Sequence, residues 1–563
     1  MKSTSFNRIL RIALIIAVLM AAMGIVTAQE GETKTLVTGI SMVGGDLPTI
    51  DPGLAETSSA IEVINQLFIG LRNQEETDGS QEDGIATMEV SEDGLTYTFT
   101  IMPDIYWVRY NAETDAVEQL LDDEGNPRVV TAGDVAYGMV RALDPNTASP
   151  YSYVLVPYIA GAAEFNSGEG AAEDVAINVV DDSTLEITAP EAVAFTPAIY
   201  GLWMARAVPQ WLIEEFGDVW TEPENIATYG PYALKEWAHD ESITIIKNPF
   251  WAGTEAIPAA KIDEITFRFL DPQQQFAEYQ AGSMDAVSVP LEEIERVKAD
   301  ATLSAEYKVG TNPCTYYIGF DNTEAPTDNA HLRRALSFAI DRESIVTNVT
   351  RGGQIPAQWF SRPGLDAGPT LETHPDLGVK FNPELAQEEL ALALEELGFT
   401  DVSELGEITL SYNDSSGHAA IVQAIQQMWT DTLGITPQLV PLDPSTYFAT
   451  LSEEAPMAFR SGWCQDYSDA NNFLYDVLYS QSSQNDTGFS NEQYDELVSQ
   501  ARVETDPEVR RDLYAQAEQI LVVEEAGLAP IYWYTTNELI KPYVEPSISV
   551  TGNQAYFNWD INR

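Results

Sequence analysis

Few residues of this chain have both the type and the spacing that enzyme chemistry requires. The four histidines, His239, His331, His374 and His418, are scattered without the spacing of metal ligands. The sequence contains no G-x-x-x-x-G-K-[ST], H-E-x-x-H, C-x-x-C or G-x-S-x-G motif. We therefore expect no enzyme, no metal site and no cofactor. With 88 acidic residues, a pair of catalytic carboxylates could lie anywhere, so an acidic secreted hydrolase stays open as an alternative.

The two cysteines, Cys314 and Cys464, are the next candidates for chemistry. In an oxidising compartment they would form one disulfide, and the alternative is a pair of free buried thiols. A bridge between them would close a loop of 150 residues and tie together two distant parts of one domain. The chain-entropy model values such a crosslink at about 4 to 5 kcal/mol.

Aromatic residues form clusters in the second half of the sequence. Trp463 lies near Tyr467, Tyr475 and Tyr479, and a Tyr-Trp-Tyr run occupies positions 532–534. Such clusters form either a packed core or the walls of a ligand-binding cleft. Composition alone favours the core.

Strand-like segments alternate with capped helices, which predicts a mixed α/β protein. Residues 95–101 alternate apolar and polar side chains after an Asp-Gly turn, and residues 185–188 do the same after two aspartates. Both are predicted strands. Thr131, with Asp134 three residues later, has the pattern of a helix N-terminus, and Asp144-Pro145 should end that helix.

Three later helices are predicted from their first residues. Asp328 should cap one helix, Asn382-Pro383 should open a second that runs to Gly398, and Asp506-Pro507 should open a third with Val509 on its apolar face. No segment has the composition of a long flexible linker, and no repeat of fixed period is visible. The joints between domains should therefore be short crossings.

Length and charge restrict the classes of partner. At 563 residues and 62.0 kDa, the chain should fold into several domains. Its net charge of −60 makes nucleic acid and anionic membranes poor partners. Such a charge is typical of a protein adapted to salty surroundings, and the alternative is an ordinary acidic secreted protein.

The first 28 residues have the pattern of a secretory signal. Lys2, Arg8 and Arg11 form a basic region, residues 9–26 form an apolar stretch, and Val-Thr-Ala at 26–28 provides small residues for cleavage. The alternative, a membrane anchor, would be only marginally long enough to span a bilayer. No cysteine near the cleavage point offers a site for lipid attachment. We expect a protein that is secreted across the cytoplasmic membrane and is periplasmic or associated with the cell surface.

Four short segments occur in the order found in a known family. They are T-I-D-P at 49–52, L-F-I-G-L at 67–71, T-A-G-D-V at 131–135 and L-S-F-A-I-D-R at 336–342. These segments resemble the markers of the family 5 extracellular solute-binding proteins of ABC importers. The resemblance covers nearly the whole chain after the signal. It implies an α/β fold of two hinged lobes, the type II periplasmic-binding-protein fold, with an extra domain in one lobe.

Within that family, the chain is most similar to the periplasmic oligopeptide-binding proteins. The similarity lies in N-T-A-S-P-Y at 146–151, F-G-D at 216–218, W-T at 220–221, C-T-Y-Y at 314–317 and G-W-C-Q-D-Y at 462–467. The last two segments place Cys314 and Cys464 where those proteins have their disulfide partners. The implied function is the capture of short peptides by hinge closure and their delivery to the permease subunits of an ABC transporter. We expect a monomer that binds no nucleic acid.

The resemblance also implies domain boundaries. After the signal at 1–28, the core of lobe 1 should comprise 29–71, 201–312 and 535–563. The extra domain of lobe 1 should comprise 72–200, and lobe 2 should comprise 313–534. The chain would then cross the hinge between the lobes more than once.

Site residues follow from the same resemblance. Asp466 matches the carboxylate that accepts the α-ammonium group of the peptide, through a charge-assisted hydrogen bond in a desolvated cleft. Arg460 and His418 match positions that offer cationic groups to the peptide's C-terminal carboxylate. Gly462 matches a backbone position that pairs with the peptide as an added strand would.

Three aromatic residues complete the implied site. The indole of Trp463 should line a side-chain pocket, and Tyr151 and Tyr532 match aromatic contacts from other parts of the cleft. One departure lies at 442–448, where the family's peptide binder has a pocket tryptophan and this chain offers only Pro444 or Ser445. The selectivity of that pocket is therefore open.

Fold alone does not fix the ligand, because family members also bind dipeptides, nickel chelates, opines or glycosides on the same scaffold. A sensory binding protein that passes closure to a receptor is a further alternative. Free peptides, N-blocked peptides and the other solutes would distinguish the ligand classes in a binding assay, and gene neighbourhood would separate a sensory role from import.

The charge hypothesis predicts a response to salt. If the net charge of −60 destabilises the folded chain by self-repulsion, the melting temperature should rise between low salt and 1 M NaCl, because the Debye length falls from about 30 Å at 0.01 M to about 3 Å at 1 M. A melting series monitored by circular dichroism measures this. A melting temperature that stays constant would leave the ordinary acidic secreted protein.

Overall fold

Helices and strands alternate through residues 33–563, which a computed structural model describes except at 42–44, 445 and 548. The predicted signal at 1–28 lies outside the described residues. All elements named below belong to one compact unit, Thr35–Arg563. Among the described residues, no helix combines the length and the apolar content needed to cross a bilayer.

Most strands are short, and β14 and β19 are the two long ones. In chain order they are β1 (Thr35–Ser41), β2 (Arg72–Gln74), β3 (Gln81–Asp83), β4 (Ala86–Val90), β5 (Thr96–Ile101), β6 (Val108–Asn111), β7 (Ala116–Gln119), β8 (Ile177–Asp181), β9 (Thr184–Thr188), β10 (Tyr232–Ala238), β11 (Ser242–Lys247), β12 (Glu264–Leu270), β13 (Ala286–Ser288), β14 (Tyr307–Phe320), β15 (Ile355–Pro356), β16 (Thr409–Asn413), β17 (Gln438–Leu442), β18 (Ala458–Cys464), β19 (Leu528–Ile540), β20 (Val544–Glu545) and β21 (Asp560–Ile561).

The helices range from single turns to 18 residues. They are α1 (Ser58–Leu67), α2 (Ala132–Leu143), α3 (Ser152–Leu155), α4 (Ala162–Asn166), α5 (Thr196–Ile199), α6 (Gln210–Phe216), α7 (Pro272–Ala281), α8 (Ile294–Ala299), α9 (Leu303–Glu306), α10 (Ala330–Phe338), α11 (Arg342–Ser344), α12 (Pro383–Leu397), α13 (Ser416–Leu433), α14 (Tyr447–Glu453), α15 (Asn471–Leu474), α16 (Glu492–Val503) and α17 (Pro507–Gln519).

Three sheets of four or more strands organise the described part of the chain. Their strand orders are β1-β12-β11-β10, β4-β5-β9-β8, and β13-β19-β14-β18-β16-β17 with β15 added beside β19. The pairs β1–β12, β16–β17 and β16–β18 are parallel. The other pairs in these sheets are antiparallel, so the mixed α/β prediction is confirmed.

The apolar cores follow the sheets and define two lobes. Phe267 of β12 and Phe99 of β5 belong to one continuous core, so the first two sheets form a single lobe. The third sheet has a separate core on each face, because successive side chains of a strand point in opposite directions. Ile318 of β14 packs into one of these cores and its neighbour Tyr317 into the other. Most of the third sheet and its two cores form the second lobe, whereas Ala286 of β13 and Ile540 of β19 pack into the first core.

Local sequence signals account for many of the element ends. The hydroxyl of Thr131 accepts a hydrogen bond from the Asp134 amide, and the Asp134 carboxylate accepts one from the Thr131 amide, so a capping box begins α2 as predicted. The predicted strands at 95–101 and 185–188 are β5 and β9. Helix α12 ends at Gly398, whose φ of 73° is the left-handed conformation that glycine adopts without strain.

Two predictions about helices are wrong. The N-cap of α10 is Asn329, not Asp328, because the Asn329 side chain accepts the hydrogen bond from the Leu332 amide. Val509 of α17 is exposed. The inner face of that helix instead carries buried charged groups, including Arg510, which donates to both carboxylate oxygens of Asp469 at 2.6 and 2.7 Å. An apolar stripe could not reveal a helix face that is built on an ion pair.

Two long strands connect the regions assigned to the two lobes. The predicted boundaries at 312/313 and 534/535 fall inside β14 and β19, which run antiparallel to each other. Their pairing is regular up to Thr311 and resumes at Thr315 after a register shift. The boundaries and the short crossings between domains stay predictions, and both strands run through the predicted boundaries without a linker segment.

A disulfide joins β14 to β18. The strand register pairs Cys314 with Cys464, and their Cα atoms lie 3.9 Å apart. The predicted disulfide is therefore confirmed, and the alternative of two free thiols is excluded. Since β18 carries residues of the predicted ligand site, the crosslink fixes the end of the strand from which that site extends.

Removing this crosslink should destabilise the protein. For Cys314→Ser with Cys464→Ser, we expect a loss of unfolding free energy of up to about 4 to 5 kcal/mol, because the unfolded chain gains the freedom of a long loop. Denaturant unfolding of the oxidised wild type and of the double variant measures the difference. A reducing agent should lower the stability of the wild type only, and equal stability of the two proteins would contradict the expectation.

Candidate functional site

Strand β18 positions most of the predicted ligand-binding residues. It lies between β14 and β16, and the register pairs Tyr316 with Gly462 and Thr315 with Trp463. Because side chains alternate along a strand, Arg460 and Gly462 share one face and Trp463 lies on the other. The structure therefore divides the predicted residues between two groups, which are joined by the backbone of this strand.

The first group is an arginine cluster formed by Arg460, His418, Tyr316, Tyr532 and Tyr534. Arg460 donates from Nη2 to the Tyr534 hydroxyl at 2.8 Å, and its guanidinium carbon lies 4.8 Å from the centre of the Tyr316 ring. The Tyr316 and Tyr532 rings are stacked with centres 4.8 Å apart. Such a cation against aromatic faces is held in one orientation by the rings around it.

Gly462 leaves space in the arginine cluster. A Cβ atom at this position would lie 3.5 Å from Arg460 Nη2 and 3.5 Å from the Tyr534 hydroxyl. Any side chain longer than a methyl group would therefore cover both polar groups. Glycine keeps this stretch of β18 open to a partner.

The charge of Arg460 is buried without an acidic partner. The residue is 8% exposed, and none of the described carboxylates lies within 4 Å of its nitrogens. Burial lowers the pKa of Arg460, but the neighbouring Tyr534 and Tyr316 more than offset this, so the net shift of the pKa is upward. The guanidinium is thus a permanent cation in a desolvated place.

His418 differs from its expected role. It lies in the first turn of α13, where its amide donates to the Ser415 hydroxyl, and its ring nitrogen lies 3.4 Å from the Tyr316 hydroxyl. Burial, together with the nearby Arg460 charge, lowers the pKa of His418 to about 2. The imidazole is therefore neutral here and acts through hydrogen bonds, whereas the resemblance implied a cationic group.

The second group is an aspartate cluster formed by Asp466, Tyr151, Trp463 and Asn472. Asn472 joins its members: its Oδ1 accepts from the Trp463 indole at 3.1 Å and from the Asp466 amide at 2.9 Å. Its Nδ2 donates to Asp466 Oδ2 at 2.9 Å. One carboxamide therefore fixes both the indole and the carboxylate.

Tyr151 reaches the aspartate cluster from the first lobe. It precedes α3, its ring centre lies 4.6 Å from that of Trp203, and burial together with the nearby Asp466 charge raises the pKa of Tyr151. The Phe195 ring also stacks on the Tyr467 ring at 5.2 Å between centres. Residues from the two lobes thus meet around Asp466.

Burial controls the charge of Asp466. Withdrawal from water raises the pKa of this carboxyl to about 7, the hydrogen bond from Asn472 lowers it, and the negative charge of Asp476 raises it again. Burial also raises the pKa of Asp476, to about 6, and that carboxyl accepts a hydrogen bond from the Tyr467 hydroxyl at 2.5 Å. Because burial and the Asp476 charge both disfavour the ionised carboxylate, a cation that enters the site stabilises it strongly.

Several members of the two clusters were not predicted as site residues. Tyr534 follows Tyr532 by two positions on β19, so the alternation of a strand could have placed both on one face. Tyr316 lies in a segment that carried the resemblance. Asn472 and Asp476 had no signal, because ordinary polar residues in an acidic chain look alike.

Ser445 lies outside the described residues. No group of three or more histidine, cysteine or acidic side chains in the described chain could hold a metal ion.

Comparison with known proteins identifies the family. The sequence model of the bacterial extracellular solute-binding proteins, family 5 Middle, matches residues 49–485. The chain belongs to this family. An oligopeptide-binding protein OppA of Bacillus subtilis is 32% identical over 549 residues, which cover 94% of this chain and 95% of that protein. Family 5 members bind solutes outside the cytoplasm and are not enzymes.

Solved structures of family 5 share the fold. The murein tripeptide binding protein MppA of Escherichia coli has a TM-score of 0.79 at 26% identity, and the match covers 94% of this chain and 99% of that one. Haemophilus influenzae OppA in complex with the peptide RPPGFSPFR has a TM-score of 0.77 at 27% identity, with coverage of 94% and 99%. The unliganded open form of MppA scores 0.68 at 27% identity, with coverage of 94% and 98%. The predicted two-lobed binding-protein fold is confirmed.

The raised pKa of Asp466 predicts a stability effect that depends on pH. In the unfolded chain its pKa is about 3.9, so between about pH 4 and pH 7 the folded protein holds a proton that the unfolded chain has released. The free energy of unfolding therefore falls by about 1.4 kcal/mol per pH unit over this range and is constant above it. Asp466→Asn removes this loss. We expect the variant to melt higher than the wild type at pH 8 and equally at pH 4.

Differential scanning calorimetry at the two pH values checks this prediction. Asp123→Asn, at an exposed position, is the matched control, and its melting temperature should follow that of the wild type at both pH values. An Asp466→Asn variant that is less stable at pH 8 than the wild type would show that the carboxylate stabilises the fold.

Proposed function

We propose that this chain is the extracytoplasmic binding component of an ABC importer and that it captures short peptides between its lobes. The observation that carries the proposal is a pair of opposite charges, the buried Arg460 inside β18 and the partly buried Asp466 just beyond the end of that strand. Neither charge has a fixed ionic partner among the described residues. A free peptide carries an ammonium group at one end and a carboxylate at the other, and so complements both.

Asp466 is the proposed anchor for the peptide's α-ammonium group. Its side chain is partly buried, withdrawal from water raises its pKa, and Asn472 holds the carboxylate in place. An ammonium group would supply the charge that this site lacks and would restore the ionised form. The α-amino group of a peptide has a pKa of about 8, so both partners are charged between about pH 7 and pH 8.

Arg460 is the proposed partner of the peptide's carboxylate, with His418 and the Tyr534 hydroxyl beside it. Positions 460 and 466 are six residues apart, and an extended chain rises about 3.3 Å per residue, so their Cα atoms are at most about 20 Å apart. A peptide of a few residues can therefore span both anchors. Between them, the open backbone at Gly462 offers strand-like hydrogen bonds that do not depend on peptide sequence.

Closure of the lobes is the proposed mechanism of capture. Phe195 of the first lobe already stacks on Tyr467 of the second, and Asp466 shares the wall of a cavity with residues of the first. The lower TM-score to the unliganded open form of MppA supports a closed arrangement in this structure. A peptide that touches both lobes binds the closed form more tightly and shifts the population toward it. The permease subunits would then recognise the closed form.

The remaining parts of the proposal concern the state of the protein. It binds without breaking bonds, acts as a monomer, and reaches the outside of the cytoplasmic membrane by means of a cleaved signal without a lipid anchor. The family's solute-binding role and the absence of nucleophile and metal motifs support the first point. The signal pattern in the sequence supports the last.

Calorimetric titration with tripeptides tests the two anchors. The wild type should bind Ala-Ala-Ala with micromolar or tighter affinity at pH 7.5, in moderate or in molar NaCl. N-acetylation of the peptide or Asp466→Asn should each weaken binding at least about thirtyfold, since loss of one partner of a buried charge pair costs 2 kcal/mol or more. Arg460→Met and an amidated C-terminus form the equivalent pair at the other end.

Each change in the peptide has a matched change in the protein, so the combinations form double-mutant cycles. Acetylation should have little further effect on Asp466→Asn, and amidation little further effect on Arg460→Met. Binding that survives acetylation in the wild type would remove the Asp466 anchor. No heat with any peptide would contradict the peptide role and point to sugars, metal chelates or opines.

A further inference from the structure

A small cavity adjoins Asp466 on the side of the first lobe. Its volume is about 90 Å³, and its wall comes from the end of α1, from β2, from the turn at 201–206 and from the C-terminal segment at 551–557. Asp466 is the member of its wall that belongs to the second lobe. The cavity therefore lies where the first side chain of a peptide anchored at Asp466 would enter.

Two arginines in this wall have a donor without a protein partner. Arg72 and Arg206 are 8% and 9% exposed, and the Nε–H group of each is buried and forms no hydrogen bond with the protein. Arg72 Nη1 pairs with Asp83, and Arg206 Nη1 donates to the Phe68 carbonyl at 2.8 Å. Each arginine of the cavity wall thus keeps one unpaired Nε–H donor.

The same wall has an acceptor without a partner. Gln66 is fully buried, and its Nε2 donates to the carbonyls of Gln554 at 2.8 Å and Glu62 at 3.1 Å. These two bonds fix the orientation of the carboxamide. Its Oε1 is buried and accepts no hydrogen bond from the protein. An unpartnered buried group of this kind costs about 1 to 3 kcal/mol.

A carboxamide complements this arrangement, because its oxygen can accept from the arginines while its NH₂ donates to Gln66. A carboxylate would satisfy the donors but would leave the Gln66 oxygen without a proton. An apolar side chain would leave all three atoms unpaired. The volume is also smaller than the cavity of about 150 Å³ that holds benzene, so an aromatic ring does not fit.

We propose that this cavity binds the first side chain of the bound peptide and prefers a carboxamide, as in an N-terminal asparagine. The proposal rests on the proposed peptide function and on Asp466 as the anchor for the ammonium group. It assigns Gln66, Arg72 and Arg206 to specificity for the first residue.

Titration with isosteric tripeptides tests the preference. Asn-Ala-Ala, Asp-Ala-Ala and Leu-Ala-Ala differ little in shape, and Ala-Ala-Ala serves as the reference. We expect Asn-Ala-Ala to bind about tenfold more tightly than Leu-Ala-Ala or Asp-Ala-Ala, because one or two hydrogen bonds are gained in a desolvated place.

Two variants separate the cavity from general effects on binding. Arg72→Lys keeps a cation beside Asp83 but lacks the Nε–H donor, and Ala555→Leu fills the cavity from a residue of its wall. Each should reduce the affinity for Asn-Ala-Ala to about that for Leu-Ala-Ala. Ala391→Leu, on the exposed face of α12 and outside the cavity, is the control and should keep the preference.

The outcomes distinguish this inference from the proposed function. If all four peptides bind the wild type equally and binding still depends on Asp466, the peptide function stands and the cavity does not read the first residue. If Arg72→Lys weakens every peptide by the same factor, its role is structural and the inference is overturned. If no peptide binds, both fall together.

Discussion

The cost of removing a charge from water determines the design of this cleft. A carboxylate in a low-dielectric environment is expensive unless a cation or several donors compensate it. Asp466 has donors but no fixed cation, and its pKa rises to about 7 as a result. Arg460 presents the opposite case, a buried cation surrounded by tyrosine rings. The fold must be stable enough elsewhere to hold two such groups, and the large cores on the sheets provide that stability.

Strand β18 and the residues just after it position both charges. Arg460 projects from β18 on the same face as Gly462, while Asp466 follows just beyond the end of the strand. The disulfide at Cys464 lies between them and anchors the strand to β14. Strand geometry sets the position of Arg460, whereas Asp466 is positioned beyond the strand by its hydrogen bonds with Asn472.

The sequence contained much of this arrangement, for identifiable physical reasons. The capping pair of Thr131 and Asp134, the strand at 95–101 and the α/β class follow from local patterns, and the resemblance supplied the disulfide and Asp466. The roles assigned to the site residues remain to be tested.

Three features had no local signal. Val509 was expected inside because helix periodicity counts apolar residues, whereas α17 buries the Arg510–Asp469 ion pair. The neutral state of His418 depends on burial beside Arg460, which is 42 positions away in the sequence. Asn472 binds both Asp466 and Trp463, yet nothing in its neighbourhood distinguishes it from other asparagines.

The pairing of β14 with β19 restricts how these two strands can move relative to each other. A hydrogen-bonded ribbon resists sliding, because sliding would break every rung at once, but it twists and bends at low cost where rungs are missing. Here the regular rungs stop at Thr311 and resume at Thr315. Bending of this ribbon is therefore easiest near Thr311–Thr315 and near the second register shift at Tyr316–Tyr317, whereas sliding of one strand along the other stays costly.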